Sequence, residues 1–381
     1  MLPHRSRLAQ RCLFRPDTAL LRPSTISRVA LGRAVRTVPM MTSSNESPPS
    51  IARKLGGMLS RVLGAALLVG FAAWSELAIL FQSPLPRWQR LGVAALIALI
   101  LLAGALSVLA QAWRRLVLPV VLVVLIGMVS WWSSIRPSDT RDWTPDVSRK
   151  PLVTIKGDDV EIRNVRNFAW KTGEVAETEQ WQDRIYSLSD LKGLDVFVST
   201  WGDPRIAHII TSFSFAAGPP VAFSIEIRKE KGEAYSSIAG FFKQYELVLV
   251  AADEADIIKV RTNRRDETVS RYRIDVKAEN AAKLLASYAA LSQDLNATPR
   301  WYHTIFTNCT TTVFSMLRSI SPADFPFDRR VLVSGYLPDY LYDIGFLDRS
   351  QPLDEIKRRA DITQAAKLAE TESNFSTAIR R

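Results

Sequence analysis

Three long apolar runs follow one another in the first third of this 381-residue chain, and they constrain its fold more than any other feature. Residues 62–81 contain one charge, Glu76; residues 91–112 and 116–132 contain none, although the last run carries Pro119. Each approaches the roughly 20 residues that a helix needs to cross about 30 Å of hydrocarbon. Soluble core helices are rarely apolar on every face over such a length. Trp88, Trp113, Trp131 and Trp132 stand at the ends of the runs, where amphipathic rings favour the membrane interface. The pattern predicts three transmembrane helices. Two is the alternative, because Glu76 is costly in lipid and the third run is short.

The net charge of +11 would ordinarily point to nucleic acid, but its distribution does not. Residues 1–61 hold eleven Lys/Arg against Asp17 and Glu46, and residues 62–136 hold five Arg against Glu76, which leaves −2 for the remainder. The basic excess therefore belongs to the membrane end, and no nucleic-acid partner is expected. Basic flanks stay cytoplasmic during insertion. The N-terminus and the Arg114-Arg115 turn then lie inside. With three spans the C-terminal part lies outside, in the periplasm of a Gram-negative cell; two spans would put it inside. A bacterial inner-membrane, multi-pass protein is expected, with the lipid bilayer as its first partner.

The expected organisation is a basic, disordered segment over 1–57, a membrane region over 58–136, a polar linker over 137–151, one domain over 152–350 and a charged helical tail over 351–381. Within the domain, period-2 patterning predicts strands at 159–165, 184–188, 194–200, 206–215, 221–228 and 245–251. The Ala216-Ala217-Gly218-Pro219-Pro220 connector suggests a hairpin. Helices are predicted at 278–295, at 309–320 and, as one amphipathic tail, at 354–370. Strands followed by segregated helices give an α+β class.

The chemistry-bearing inventory of the domain is small. Of two cysteines, Cys12 lies in the basic segment and Cys309 is alone in the domain, so no disulfide framework exists. Cys309 follows Asn308, a favoured N-cap, and opens a predicted helix whose first-turn N–H groups would lower a thiol pKa. The plainer reading is a small buried apolar residue. His208 shares one strand face with Ile210, Ser212 and Ser214, and an imidazole there suits a general base; a structural histidine is the alternative. Ser224, Glu226 and Arg228 share one face of the next strand. Glu226 is the candidate to orient His208, unless it simply pairs with Arg228. Asn308 is a candidate helix cap or oxyanion donor. His303 reads as loop structure. Neither Cys-x-x-Cys nor His-Glu-x-x-His occurs, and there is no phosphate-binding glycine loop, so no metal and no cofactor are expected.

Several segments resemble the Lnb N-terminal periplasmic domain family. They are Asn164-Val165-Arg166-Asn167-Phe168, Ile206-Ala207-His208 with Ser212-Phe213, Ser224-Ile225-Glu226-Ile227-Arg228 with Glu230-Lys231-Gly232-Glu233, Gln244-Tyr245-Glu246-Leu247, Arg261-Thr262-Asn263, Asn308-Cys309-Thr310-Thr311 and Leu332-Val333-Ser334-Gly335-Tyr336. The resemblance runs from about 160 to 347. It implies a papain-like thiol domain with Cys309 as nucleophile and His208 as base. The His precedes the Cys, as in the permuted arrangement of lecithin retinol acyltransferase-like enzymes. Members related to Lnb itself move an acyl chain within bacterial lipoproteins. The resemblance thus implies a cysteine hydrolase or acyltransferase acting on an ester or amide of a lipid, lipoprotein or cell-wall peptide. A non-catalytic periplasmic binding or scaffold domain on the same fold is the alternative.

Overall fold

The computed structural model describes residues 51–173 and 175–381. Cys12 and the rest of residues 1–50 lie outside the described residues. Three apolar helices come first: α1 (Ile51–Gln82), α2 (Arg87–Ala110) and α3 (Arg114–Ser134). Each is long and apolar enough to cross a membrane. They pack through two small clusters, Ala72–Leu101–Val121 and Ile79–Ala94–Met128. Leu67, Leu99 and Val123 meanwhile point outward, two-thirds exposed. The expectation of disorder up to residue 57 is corrected from residue 51 onward. Residues 51–57 are already helical, because the apolar sequence around Met58 and Leu59 continues α1 backward past Gly56-Gly57.

The rest is a mixed domain of strands and helices. Its strands are β1 (Leu152–Lys156), β2 (Asp159–Arg166), β3 (Ala169–Trp170), β4 (Ala176–Thr178), β5 (Trp181–Ser187), β6 (Leu191–Thr200), β7 (Ala207–Phe215), β8 (Val221–Arg228), β9 (Glu246–Asp253) and β10 (Thr268–Arg273). Its helices are α4 (Glu254–Ile257), α5 (Ala278–Ala297), α6 (Cys309–Ile320), α7 (Leu337–Asp343), α8 (Leu353–Ala360), α9 (Thr363–Leu368) and α10 (Phe375–Ala378). Eight strands form one sheet in the order β1-β2-β9-β8-β7-β6-β10, with β5 also paired to β2. β7 and β8 form the hairpin that the Gly-Pro connector suggests.

Strict alternation along the central strands gives the sheet two apolar faces. Ile209, Phe213, Phe223 and Leu249 meet α5 and α6 through Leu284, Tyr288, Val313 and Phe314. On the other face Phe197, Ile210, Val248 and Val250 meet Ile257, Ile362, Ala366, Phe375 and Ile379. The charged C-terminal stretch is therefore core, not a tail. The expected single helix over 354–370 is broken at Asp361-Ile362. There the chain pairs with the edge strand β10: Ile362 donates its N–H to Val269, and Asp361 bridges Ser270. The hydrogen bonds of an open sheet edge outweigh continuation of a short exposed helix.

The linker is likewise docked rather than loose. Trp143 is buried, and its backbone bridges Glu230. Asp139 accepts from both Lys150 Nζ and Arg228 Nη1. On β2, Asn164 has φ 58, a region that asparagine tolerates better than most residues. The bulge it creates lies between Ile162 and Val165. Just beyond it, Arg166 forms a two-point pair with buried Asp256, which also accepts from the Phe168 N–H and Trp170 Nε1.

Candidate functional site

α6 begins at Cys309 because Asn308 caps it. Asn308 Oδ1 accepts from the N–H groups of Thr310 and Thr311 at 2.9 Å each, and Thr311 Oγ1 returns the bond to the Asn308 N–H at 3.1 Å. Asn308 Nδ2 donates to the Thr304 carbonyl at 2.7 Å. This commits the Asn308 side chain to capping and occupies the first-turn N–H groups of Thr310 and Thr311. The cap reading of Asn308 is the one the geometry displays.

His208 stands on β7 two residues before the last β7–β8 pair, Ile210–Ser224. Past that pair the ladder stops, and polar side chains fill the gap. His208 Nε2 lies 2.6 Å from Ser224 Oγ and 3.0 Å from Glu226 Oε1. Ser224 Oγ in turn donates to Glu226 Oε1 at 2.7 Å. The Cys309 sulfur sits beside the His208 ring and the Ile209 N–H, both of which stabilise its thiolate. Strand β7 is pinned next to this point by Ser334, whose Oγ donates to the Ala207 carbonyl at 2.6 Å and accepts from the Ala207 N–H at 2.8 Å. The following Gly335 has no room for a side chain: a Cβ there would stand 2.0 Å from the Pro204 oxygen. Gly335→Ala should therefore push the Pro204–Ala207 backbone, cost about 1–3 kcal/mol and lower the reactivity of Cys309. Thermal unfolding together with thiol alkylation would check this; a variant as stable and as reactive as wild type would refute the clamp.

Arg261 completes the cluster, and the sequence reading gave it no role. It lies in a widened π-type turn, Val260–Arg264, a form frequent at functional sites. Buried on the second face of the sheet, it donates from Nη2 to Glu226 Oε1 at 2.9 Å and from Nη1 to Glu267 Oε2 at 3.1 Å. Its only sequence signal was membership of the Arg261-Thr262-Asn263 segment.

The electrostatics follow from these contacts. Burial opposes a charged His208, but the Glu226 carboxylate overrides it and lifts the imidazole to about 9. Burial likewise opposes an ionised Glu226, and His208 and Arg261 reverse that, holding it well below the usual carboxylate range. For Cys309 the desolvation penalty is exceeded by the adjacent imidazolium and by the Ile209 N–H and Thr310, so the thiol is acidified. The two shifts favour the same charge pair, thiolate beside imidazolium, the form in which a cysteine sulfur is nucleophilic. His303 is elsewhere: its Nδ1 accepts from the N–H groups of Ile305 and Phe306 at 3.2 Å each, as a loop-stabilising histidine does. Arg228 turns away from Glu226 to the linker, bonding Asp139 and the Val147 carbonyl.

The cluster forms the wall of a cavity of about 670 Å³, within the range of small-ligand sites. Trp201, Ile206, Tyr235, Tyr302 and Val333 supply apolar walls, and Arg205, Lys229 and Arg265 supply cations. Tyr302 is pushed far above the ordinary phenol range by burial and by the charge of Cys309. Among the described residues, no group of three or more His, Cys, Asp and Glu is placed to hold a metal.

Residues 177–335 match the family model of the Lnb N-terminal periplasmic domain. The matched span contains His208, Glu226, Arg261, Cys309 and Ser334. No curated protein and no solved structure matches the chain. The match and the three helices long and apolar enough to cross a membrane together support a membrane protein with a periplasmic domain.

Proposed function

On the premise of an Lnb N-terminal periplasmic domain over residues 177–335, we propose a cysteine-nucleophile hydrolase or acyltransferase. The protein would be held in the bacterial inner membrane by three spans, with the domain on the periplasmic side. Its fold is read as a permuted papain-like one: a cysteine at a helix N-terminus facing a histidine on a preceding strand. The observation that carries the reading is the Cys309–His208–Glu226 relay on a cavity wall, with the thiol acidified and the imidazole lifted to about 9.

In the first half-reaction, Cys309 Sγ attacks the carbonyl carbon of a membrane-proximal ester or amide. The bond to the leaving oxygen or nitrogen breaks, and that atom takes the proton of the His208 imidazolium. A thioester on Cys309 remains. His208, now neutral, removes a proton from the incoming acceptor, which attacks the thioester and restores the thiolate. Water as acceptor gives hydrolysis; an amine or hydroxyl gives transfer. Glu226 fixes the imidazole and balances its charge. Tyr302, a cavity-lining phenol in the field of the sulfur, is assigned to the developing oxyanion.

The test is capture of the intermediate. The full chain, incubated with phospholipids and diacylated lipopeptides, should gain an acyl mass on the Cys309 peptide. Neutral hydroxylamine should release it, and Cys309→Ala and His208→Ala should lack it. A Cys309 that stays unmodified across ester and amide lipids would leave a periplasmic binding or scaffold domain instead.

A further inference from the structure

Two short segments connect the cavity to the ends of the membrane helices. In the first, the Phe242 ring stacks on Phe81 at 5.5 Å and meets Trp132 edge-on at 6.4 Å. The next residue, Lys243, donates from Nζ to the Trp132 and Ile135 carbonyls at 2.7 and 3.3 Å. Phe81 and Trp132 lie at the C-terminal ends of α1 and α3. The second segment, residues 301–307, is tied to the first by the Thr304 hydroxyl, which donates to the Ser237 carbonyl at 2.7 Å. Phe241, His303 and Phe306 form a continuous run of rings, with centroids 5.2 and 4.7 Å apart.

The inner side of these segments lines the cavity through Tyr235, Ser237, Tyr302 and Thr304. Their outer side is apolar and open: Ile238 is 54% exposed, Phe241 38%, Ile305 40% and Phe306 76%. Four large apolar side chains gathered at one place are an interaction surface rather than scattered exposure. What they face is set by what they rest on. Trp131 and Trp132 close α3, and tryptophans at such positions mark the depth of the headgroup layer. Arg136, exposed just past the end of α3, is the kind of cation that such a layer attracts.

We propose that Ile238, Phe241, Ile305 and Phe306 are seated in the headgroup–acyl boundary of the bilayer that α1–α3 cross, so that the cavity takes its substrate sideways from the leaflet. This rests on the reading that the helices span the membrane, and it is independent of the chemistry at Cys309. The ligand class is a lipid or lipid-linked molecule whose carbonyl lies just under the headgroups, about 5–10 Å deep at most.

The test uses the full chain with Cys12→Ser and Cys309→Ser, carrying Phe306→Cys or Ile238→Cys labelled with an environment-sensitive fluorophore. It is reconstituted in phosphatidylethanolamine–phosphatidylglycerol vesicles with lipids spin-labelled near the headgroup or deep in the chain. Leu99→Cys on α2 serves as the membrane reference and Ile185→Cys on β5 as the aqueous one. Emission from positions 306 and 238 should be blue-shifted and quenched about twofold or more by the shallow label, as expected for an interfacial surface. Position 99 should respond to the deep label and position 185 to neither. If positions 306 and 238 behave like 185 while 99 is quenched, the helices span but the rim is in water, and the proposal falls alone. If 99 is also unquenched, the proposal falls together with the membrane-spanning reading.

Discussion

At pH 6, Cys309 is expected to react with iodoacetamide at least about tenfold faster in the wild-type chain than in His208→Ala, both in a Cys12→Ser background. An ordinary thiol with a pKa of about 8.5 is only ~0.3% thiolate at that pH. The imidazolium beside Cys309 acidifies it, so most of the advantage lies in thiolate fraction. The weaker intrinsic nucleophilicity of an acidified thiol gives part of it back. The gap should close as pH rises through about 9, where His208 loses its proton and a thiol is ionised without help. Peptide mass spectrometry of the alkylated Cys309 fragment reads both rates. Equal rates at pH 6 would mean a neutral thiol and would remove the basis for nucleophilic catalysis.

The same groups tie stability to pH with definite signs. His208 is raised from 6.5 to about 9 in the fold. Its contribution is therefore fully present below pH 6.5 and is lost as pH climbs through about 9. Glu226 is depressed below 4.5. Its contribution is present above pH 4.5 and is lost as pH falls through its lowered value. The pair is strongest between these limits.

Arg261→Ala should be the most destabilising single change in the site. The guanidinium stands between two carboxylates, Glu226 at 2.9 Å and Glu267 at 3.1 Å, with its side chain only 6% exposed. Removing it leaves buried negative charges facing each other, which costs about 3–5 kcal/mol. For a domain of this size that is a fall in Tm of roughly 6–20 °C. Arg261→Lys should recover only part, because one ammonium does not span two carboxylates as the planar fork does. Adding Glu226→Gln to Arg261→Ala should recover stability but not thiol reactivity, since Glu226 also supports the imidazolium. Thermal unfolding of the full chain in detergent measures this. A loss below about 1 kcal/mol for Arg261→Ala would show that water reaches the two carboxylates and that the network is not dry.

How much of this was legible in sequence depends on whether the signal is local. The start of α6 was readable at the residue, because an asparagine cap and an apolar 3.6-residue stripe both act within a few positions. The alternation of β7 and β8 was readable for the same reason, and it placed His208, Ser224 and Glu226 on faces that can meet. β10 was not: Thr268-Val269-Ser270-Arg271-Tyr272-Arg273 has its arginines answered by Asp195 across the sheet, and that answer is invisible along the chain. β1 (Leu152–Lys156), at the very start of the expected domain, was not predicted as a strand, because its pairing with β2 and its packing under α5 lie off the local sequence. Arg261 was the costliest omission. Its role exists only where a turn after β9 is laid across the sheet onto Glu226, a contact between residues 35 positions apart. The C-terminal helices were misread as a surface tail because their apolar residues are sparse. Ile362, Ala366, Phe375 and Ile379 nonetheless close one face of the sheet.

The docked linker has a kinetic consequence. With Asp139 held by Lys150 and Arg228, and Lys243 held on the end of α3, the domain has no tether along which to range. As the proposed catalyst, fixed at one height above the bilayer, it would meet partners that diffuse in the same plane. Encounter then becomes a two-dimensional search. Its rate follows the surface density of the substrate, its mole fraction among lipids, and not the amount per volume of suspension. Dilution with inert phospholipid would slow such a reaction at constant bulk concentration, whereas dilution with buffer would leave it unchanged.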